Sequence, residues 1–268
     1  MITFPNAKIN IGLQILSKRP DGFHNIASCF YPVGWSDILE IIPAKTLSFN
    51  SSGIPIPGDV ATNLCLKAYQ LLKIDFDLPP VAIHLHKIVP IGAGLGGGSA
   101  DAAFTLTMLN QLFELGLSVT TLENYARKLG SDCAFFIQNQ PVYCVEKGDI
   151  FEEININLKG KHIVMIYPNL HISTAEAYSG VVPNQPLTSL RTSLEGASSW
   201  QISAKNDFEK HLFEKYSDLA TLKQKLYDMG ANYASMTGSG STVYGIFEQP
   251  QDLTNLFDDY LVWQGELG

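Results

Sequence analysis

Five glycines fall within seven residues at positions 92–98, and no other feature of the chain restricts its folding as strongly. The stretch reads Pro90-Ile91-Gly92-Ala93-Gly94-Leu95-Gly96-Gly97-Gly98-Ser99-Ala100-Asp101-Ala102-Ala103. Glycine loses more backbone freedom on folding than any other residue, so a run this dense is unfavourable as mere structure. A strand pattern precedes it, Val81 to Ile88, in which Ile83 and Leu85 alternate with polar neighbours. A helical pattern follows at once through Leu106, Leu109 and Phe113. Strand, loop and helix in this order set the free N–H groups and the dipole of a helix start beside backbone that a ligand can approach, which suits a phosphate. Pro90, Gly92, Ala93, Gly94, Leu95, Gly96, Gly97, Gly98, Ser99 and Ala100 are therefore the candidate nucleotide-binding residues. Ser99 either binds phosphate or Mg²⁺ through its hydroxyl, or caps the helix.

Other nucleotide motifs do not fit. Gly92-x-Gly94-x-x-Gly97 matches the dinucleotide fingerprint, but the position about 20 residues on, around Leu117, is not acidic. A Walker A loop needs lysine before the hydroxyl residue, where this chain has Gly97-Gly98-Ser99. The HRD and DFG signatures of protein kinases are absent.

The chain has 268 residues, 46% of them hydrophobic and 16% charged, which is ordinary for a globular enzyme with a real apolar core. No apolar run approaches the roughly 20 residues of a membrane span. The N-terminus lacks a basic start followed by a long apolar stretch, so a cytoplasmic protein without a membrane partner is expected. The net charge of −8 opposes phosphate polymers, so nucleic acid is not an expected partner. Cys29, Cys65, Cys133 and Cys144 form no CxxC pair and read as free thiols.

Strand-type and helix-type segments alternate without repeats, which predicts a mixed α and β fold. Thr62 is expected to cap a helix carrying Leu64, Ala68, Leu71 and Leu72, and Thr120 to Glu123 reads as a capping box for a helix ending at Gly130. Ser217 is expected to cap a helix with Leu219, Leu222, Leu226 and Met229 on one face, closed by Gly230. The segment from Leu170 to Ser203 looks irregular except near Ala175 to Tyr178. A polar stretch from Asn155 to Lys161 suggests a boundary, giving domains 1–157 and 158–268. His84 and His86 form an HxH pair with two readings, a metal site or two polar residues on the wetter strand face, and the second is favoured because no cluster with metal-ligand spacing follows.

Two further blocks join the glycine loop. In Pro5-Asn6-Ala7-Lys8-Ile9-Asn10-Ile11-Gly12-Leu13 the alternation sets Lys8 and Asn10 on one strand face. Met236-Thr237-Gly238-Ser239-Gly240-Ser241-Thr242-Val243 is a small-residue turn before the strand Val243 to Phe247. In all three places, and over nearly its whole length, the chain resembles the GHMP kinases, the family of galactokinase, homoserine kinase and mevalonate kinase. Lys18-Arg19-Pro20-Asp21-Gly22-Phe23-His24 and Gly130-Ser131-Asp132 narrow the resemblance to members whose small-molecule acceptor is a cytidine diphosphate-linked methylerythritol.

The resemblance implies an α+β, two-lobed kinase with an N-terminal lobe like ribosomal-protein S5 domain 2 and a ferredoxin-like C-terminal lobe, using ATP and Mg²⁺, as a monomer or weak homodimer. It implies a catalytic pair, Lys8 and Asp132, with Asp132 as general base or as a group that only orients the hydroxyl. Asn10 would touch the methylerythritol portion, Phe23, His24 and Tyr178 would hold cytosine, and Asn63 and Lys87 would lie near adenine. Read without the resemblance, Asp132 suits a helix cap and Lys8 a solvated strand position. The chain departs from the family at Phe23, where tyrosine is common, and at Cys133-Ala134, where Val-Pro is usual. A homoserine, mevalonate or sugar kinase and a non-catalytic nucleotide sensor are the alternatives.

Overall fold

The structure, a computed structural model, describes residues 1–196, 199–253 and 256–268. The chain begins with β1 (Ile2–Thr3), β2 (Asn6–Lys18), β3 (His24–Ser36), β4 (Ile38–Pro43) and β5 (Ser48–Gly53). Next come α1 (Leu64–Asp75), β6 (Val81–Lys87), α2 (Gly97–Leu112), α3 (Val119–Leu129), α4 (Phe135–Gln138), β7 (Val142–Val145), β8 (Ile150–Glu152) and β9 (His162–Tyr167). The last part holds α5 (Thr174–Ser179), α6 (Leu190–Glu195), α7 (Trp200–Ser203), α8 (Glu209–Lys215), α9 (Ser217–Asp228), β10 (Tyr233–Met236), β11 (Val243–Phe247) and β12 (Leu261–Glu266). Helix and strand are mixed throughout, as the alternating pattern predicts.

Two compact units emerge. The first comprises Met1–Ala7, Trp35–Ile91 and Gly96–Gln140; the second comprises Lys8–Gly34, Gly92–Leu95 and Pro141–Gly268. This division is discontinuous in sequence, unlike the consecutive halves 1–157 and 158–268.

In the first unit the strand order is β1-β4-β6-β5. Leu39 lies opposite Leu85 and Ile41 opposite Ile83, and all four are buried, while the residues between them face the other way. Each such side chain contributes about 1.5–3 kcal/mol by leaving water. Helix α2 packs on β4 and on α1, burying Leu106 and Leu109 of α2 and Ala68, Tyr69 and Leu72 of α1. On the opposite sheet face the Ser52 hydroxyl lies 2.9 Å from both His84 Nε2 and His86 Nδ1.

In the second unit β10-β11-β9-β12 form an antiparallel sheet, and a further sheet has the order β2-β3-β7-β8, with β3–β7 and β7–β8 antiparallel. Val164, Ile166, Val243 and Phe247 pack with Leu219, Leu222 and Leu226 of α9 and with Leu13 and Ile15 of β2. Helix α9 closes as expected: Gly230 takes φ +95, and Ala231 N–H donates to the Leu226 carbonyl at 3.0 Å.

Three caps differ from expectation. Asn63, not Thr62, caps α1, its side chain accepting from Cys65 N–H at 2.9 Å, while the Thr62 hydroxyl donates to the Asp59 carbonyl. Ser118 caps α3 by accepting from Thr121 N–H, and Glu123 instead pairs with Arg127 at 3.2 Å and accepts from Gln138. Ser217 is already the first residue of α9, with no side-chain cap. At α1 and α3 neighbouring polar residues compete for the cap, and only the backbone turn selects the extended position from which a side chain reaches the exposed N–H groups. The segment after Leu170 also carries α6 and α7 besides α5; its residues 197–198 lie outside those described.

Candidate active site

In the second unit, strand alternation puts Lys8 and Asn10 of β2 on one face, and both are buried. Lys8 N–H donates to the Leu95 carbonyl at 2.9 Å, and its ammonium donates to Asn10 Oδ1 at 2.6 Å and to the Gly94 carbonyl at 3.3 Å. The same ammonium lies 4.8 Å from the centre of the Phe30 ring. Lys8 is thus no solvated strand residue; it is fixed at the first half of the glycine loop. Asn10 is committed too: its amide NH₂ donates to the Ser28 hydroxyl at 2.9 Å, and its Oδ1 also accepts from Thr237 Oγ1 at 3.3 Å.

The small-residue turn at 236–243 joins this group. Thr237 Oγ1 accepts from Asn10 N–H at 3.0 Å and donates to the Gly94 carbonyl at 3.1 Å. Gly94 has φ +80, and a Cβ there would lie 2.0 Å from the Thr237 carbonyl oxygen, so only glycine fits. Asn206 holds the turn from behind, donating to the Met236 and Gly238 carbonyls. Thr237 had a sequence signal, its place in a glycine turn, but no local pattern paired this residue with Asn10 or Gly94.

In the first unit, the rest of the loop enters α2, with Gly96 at its N-cap position, so Ser99 lies inside the helix and does not cap it. A Cβ on Gly98 would meet only Leu64 Cδ1, at 3.9 Å, so protein packing does not demand glycine at this exposed helix start. Gly97 is different: its Cβ would stand 3.0 Å from Lys87 Nζ and 3.1 Å from Val89 Cγ1. Lys87 is buried, and its ammonium donates to Asp37 Oδ2 and, at 2.8 Å, to Asp101 Oδ2. Burial lowers the affinity of this ammonium for its proton, but Asp101 and Asp37 more than offset it and hold the pKa above the ordinary lysine value. Asp37 and Asp101 were missed by sequence reasoning, because neither stands in a spacing that signals a partner.

Asp132 is partly buried in a short 3₁₀ turn, Ser131–Ala134. The cap position of that turn is Gly130, so Asp132 is not the cap. Asn63 uses its Oδ1 to cap α1, which begins beside Gly98.

In the second unit, residues 19–24 form a tight turn. Arg19 donates to Asp21, to Asn25 Oδ1 at 2.7 Å and to Glu146, and Asp21 Oδ1 accepts from Phe23 N–H at 3.1 Å. Phe23 is 53% exposed, with the Lys147 ammonium 5.4 Å from its ring centre. His24 stacks on Tyr178 at 4.6 Å between centroids and 22° between planes, and Phe208 supports Tyr178 edge-on at 4.9 Å. A flat base does not fit between rings already this close, so the His24–Tyr178 stack offers an outer face and an edge. Burial, with Lys18 adding to it, holds the His24 imidazole pKa below its ordinary value.

Among the described residues no group of three or more His, Cys, Asp or Glu is placed to hold a metal ion, and no helix is long and apolar enough to cross a membrane. The family models for the GHMP kinases N terminal domain and the GHMP kinases C terminal match residues 63–140 and 194–260. The chain is 57% identical over 249 residues to a 4-diphosphocytidyl-2-C-methyl-D-erythritol kinase of Cytophaga hutchinsonii, covering 92% of each chain. It is 44% identical to the Parabacteroides distasonis protein of the same name, covering 100% of both. A crystal structure of 4-(cytidine 5'-diphospho)-2C-methyl-D-erythritol kinase superposes with a TM-score of 0.84 at 27% identity, over 100% of this chain and 99% of that one. In fold alone the chain is also similar to L. major mevalonate kinase, with a TM-score of 0.70 at 13% identity over 100% of this chain and 96% of that one.

Proposed function

The chain belongs to the GHMP kinase family, and on that premise we infer that it transfers the γ-phosphoryl group of ATP to the 2-hydroxyl of 4-diphosphocytidyl-2-C-methyl-D-erythritol, a step of non-mevalonate isoprenoid precursor synthesis. The observation that carries this reading is the fixing of the Lys8 ammonium at the Gly94 carbonyl, inside a loop whose next residues open α2. A cation beside a phosphate-binding backbone is what a dispersed, anionic phosphoryl transition state needs.

We propose the following division of labour. The loop from Pro90 to Ala100 holds the ATP phosphates, supported by the open helix start at Gly98. Asn63 and Lys87 bound the adenine side. Lys8 stabilises charge developing between the acceptor oxygen and the γ-phosphorus, and Asn10 keeps its ammonium in place. Asp132 orients the acceptor hydroxyl and takes its proton as the O–P bond forms and the bond to the β-phosphate oxygen breaks. The Phe23, His24 and Tyr178 rings hold cytosine, supported by the preformed His24–Tyr178 stack.

Mg²⁺ is proposed to arrive with ATP. Among the described residues no acidic group of three or more is placed to cage such an ion, so Ser99 would offer its hydroxyl to one held mainly by phosphate oxygens and water. When bound, such an ion would neutralise charge on the phosphates. We further propose a cytoplasmic monomer or weak homodimer without membrane partners, and the net charge of −8 disfavours nucleic acid as a partner.

The test is ADP release from ATP and Mg²⁺ with the cytidine diphosphate-linked acceptor, homoserine, mevalonate or galactose. Turnover with the first alone is expected. Faster turnover of another alcohol reassigns the acceptor, and no turnover with any identifies a nucleotide sensor.

A further inference from the structure

Below the glycine loop lies a charge cluster whose two carboxylates, Asp37 and Asp101, have no part in the division of labour above. Asp37 Oδ1 accepts the backbone N–H groups of Ile88 at 2.6 Å and Val89 at 2.8 Å, fixing the chain as it leaves β6. Its Oδ2 accepts from Lys87, whose ammonium reaches on to Asp101 Oδ2 at 2.8 Å, in the second turn of α2. One ammonium thus ties the strand exit before the loop to the helix after it. Lys87 and Asp101 are each 3% exposed and Asp37 is fully buried.

We propose that Asp101 is a positioning residue for ATP: with Asp37, it uses the Lys87 ammonium to set where the first N–H groups of α2 stand relative to the end of β6. This rests on the reading that the loop holds the ATP phosphates.

Two observations favour positioning over plain stability. A buried ion cluster is often no more stable than apolar residues of equal volume, and here two carboxylates share one cation while Asp101 Oδ1 has no hydrogen-bond partner among the described residues. What the cluster does supply is direction, since an ammonium between two fixed carboxylates has one place to sit. The second observation is Gly97, whose missing side chain leaves room for that ammonium directly beneath the helix start. A Cβ there presses on Lys87 and Val89, so the tie and the phosphate-facing backbone are in direct contact. Part of the glycine pattern therefore serves the cluster below the loop and not the ligand above it.

The experiment compares Asp101→Ala with Asp101→Asn, which keeps an oxygen for Lys87, measuring ATP affinity by calorimetry together with both KM values, kcat and Tm. Asp101→Ala should weaken ATP about tenfold, as expected for loss of a charge-assisted hydrogen bond, and leave the acceptor KM within about twofold. Asp101→Asn should restore most of the ATP affinity. Should Asp101→Ala not fold, Asp101→Ser, whose hydroxyl falls short of Lys87, carries the same expectation. A folded Asp101→Ala protein that differs only in Tm, with ATP affinity unchanged, overturns the proposal. Gly96→Val measured alongside separates the two readings. If it weakens ATP while Asp101→Ala does not, the loop assignment stands and the positioning role falls; if neither weakens ATP, both fall.

Discussion

The Lys8 ammonium donates to Asn10 Oδ1 at 2.6 Å, both residues buried on one face of β2. Because Asn10 is itself held by Ser28 and Thr237, the ammonium is aimed before any substrate arrives. Preorganised charge of this kind stabilises a transition state without reorganisation. Lys8→Met should therefore keep ATP binding within a fewfold and lose about 10²- to 10³-fold in kcat. Asp132→Asn should fold, bind ATP and lose about 10²- to 10⁴-fold in kcat if proton removal is needed at the transition state. Single-turnover assays of the two variants check both, and near-normal kcat in folded Asp132→Asn would remove Asp132 from the chemistry.

Aromatic truncation should separate the two substrates. Phe23→Ala and Tyr178→Ala should each raise the acceptor KM about tenfold with little change for ATP, since a stacked base is worth about 1–3 kcal/mol. Tyr178→Ala should have the broader effect, because it also frees the His24 ring. Burial lowers the His24 pKa and so favours the neutral imidazole, and the acceptor KM should stay flat from pH 7 to 8. A pH titration of KM for both substrates reads this out.

The glycines of the loop should divide by cause. Gly94→Ala meets both a φ of +80 and the Thr237 carbonyl at 2.0 Å, so it should destabilise the protein by at least about 1–3 kcal/mol. Gly98→Ala meets no such barrier and gains helix propensity, so its stability should hold or rise by up to about 1 kcal/mol while ATP affinity falls. Urea unfolding paired with ATP titration distinguishes them. Unchanged ATP affinity in Gly98→Ala would argue against close approach of a phosphate there.

Stability should depend on pH through Asp101. Burial pushes its carboxyl up to about 7, with Lys87 opposing and Asp37 reinforcing the rise. Asp37, Lys87 and the Cys65 thiol are the titratable groups whose charge couples to it. The unfolded carboxyl titrates near about 3.9. Between those values the folded state binds more protons than the unfolded one, so this contribution is present below pH 4 and is lost as pH rises through 7. Asp101→Asn removes the dependence, and its stability relative to the parent should rise from pH 5 to pH 8 in urea melts. A difference that stays constant across that range would contradict the raised pKa.

Much of the framework is legible in single segments. The alternation of Ile83 and Leu85 announced β6, the apolar face of Leu219, Leu222 and Leu226 announced α9, and the glycines at 92–98 announced a strand, a loop and a helix start. These are signals of residue type and period, which depend only on neighbours within a turn or two. The GHMP motifs likewise carried the family, because each is a run of consecutive residues.

What tertiary structure decided is which groups meet. Asn10 finds Thr237 across 227 positions, and Lys87 finds Asp37 across 50 and Asp101 across 14. Nothing in the local pattern distinguishes Asp37 from any other aspartate at a strand end, or Asp101 from a solvated helix residue. That Asn63 caps α1, and not the expected Thr62, was likewise decided only once the backbone turned. Local sequence specifies what each segment can form, because hydrogen-bonding geometry and side-chain period act over a few residues. Partners for buried polar groups are set by strand register and helix packing, so Lys8 became an aimed cation and Gly97 a space for Lys87 only once the chain had closed around them.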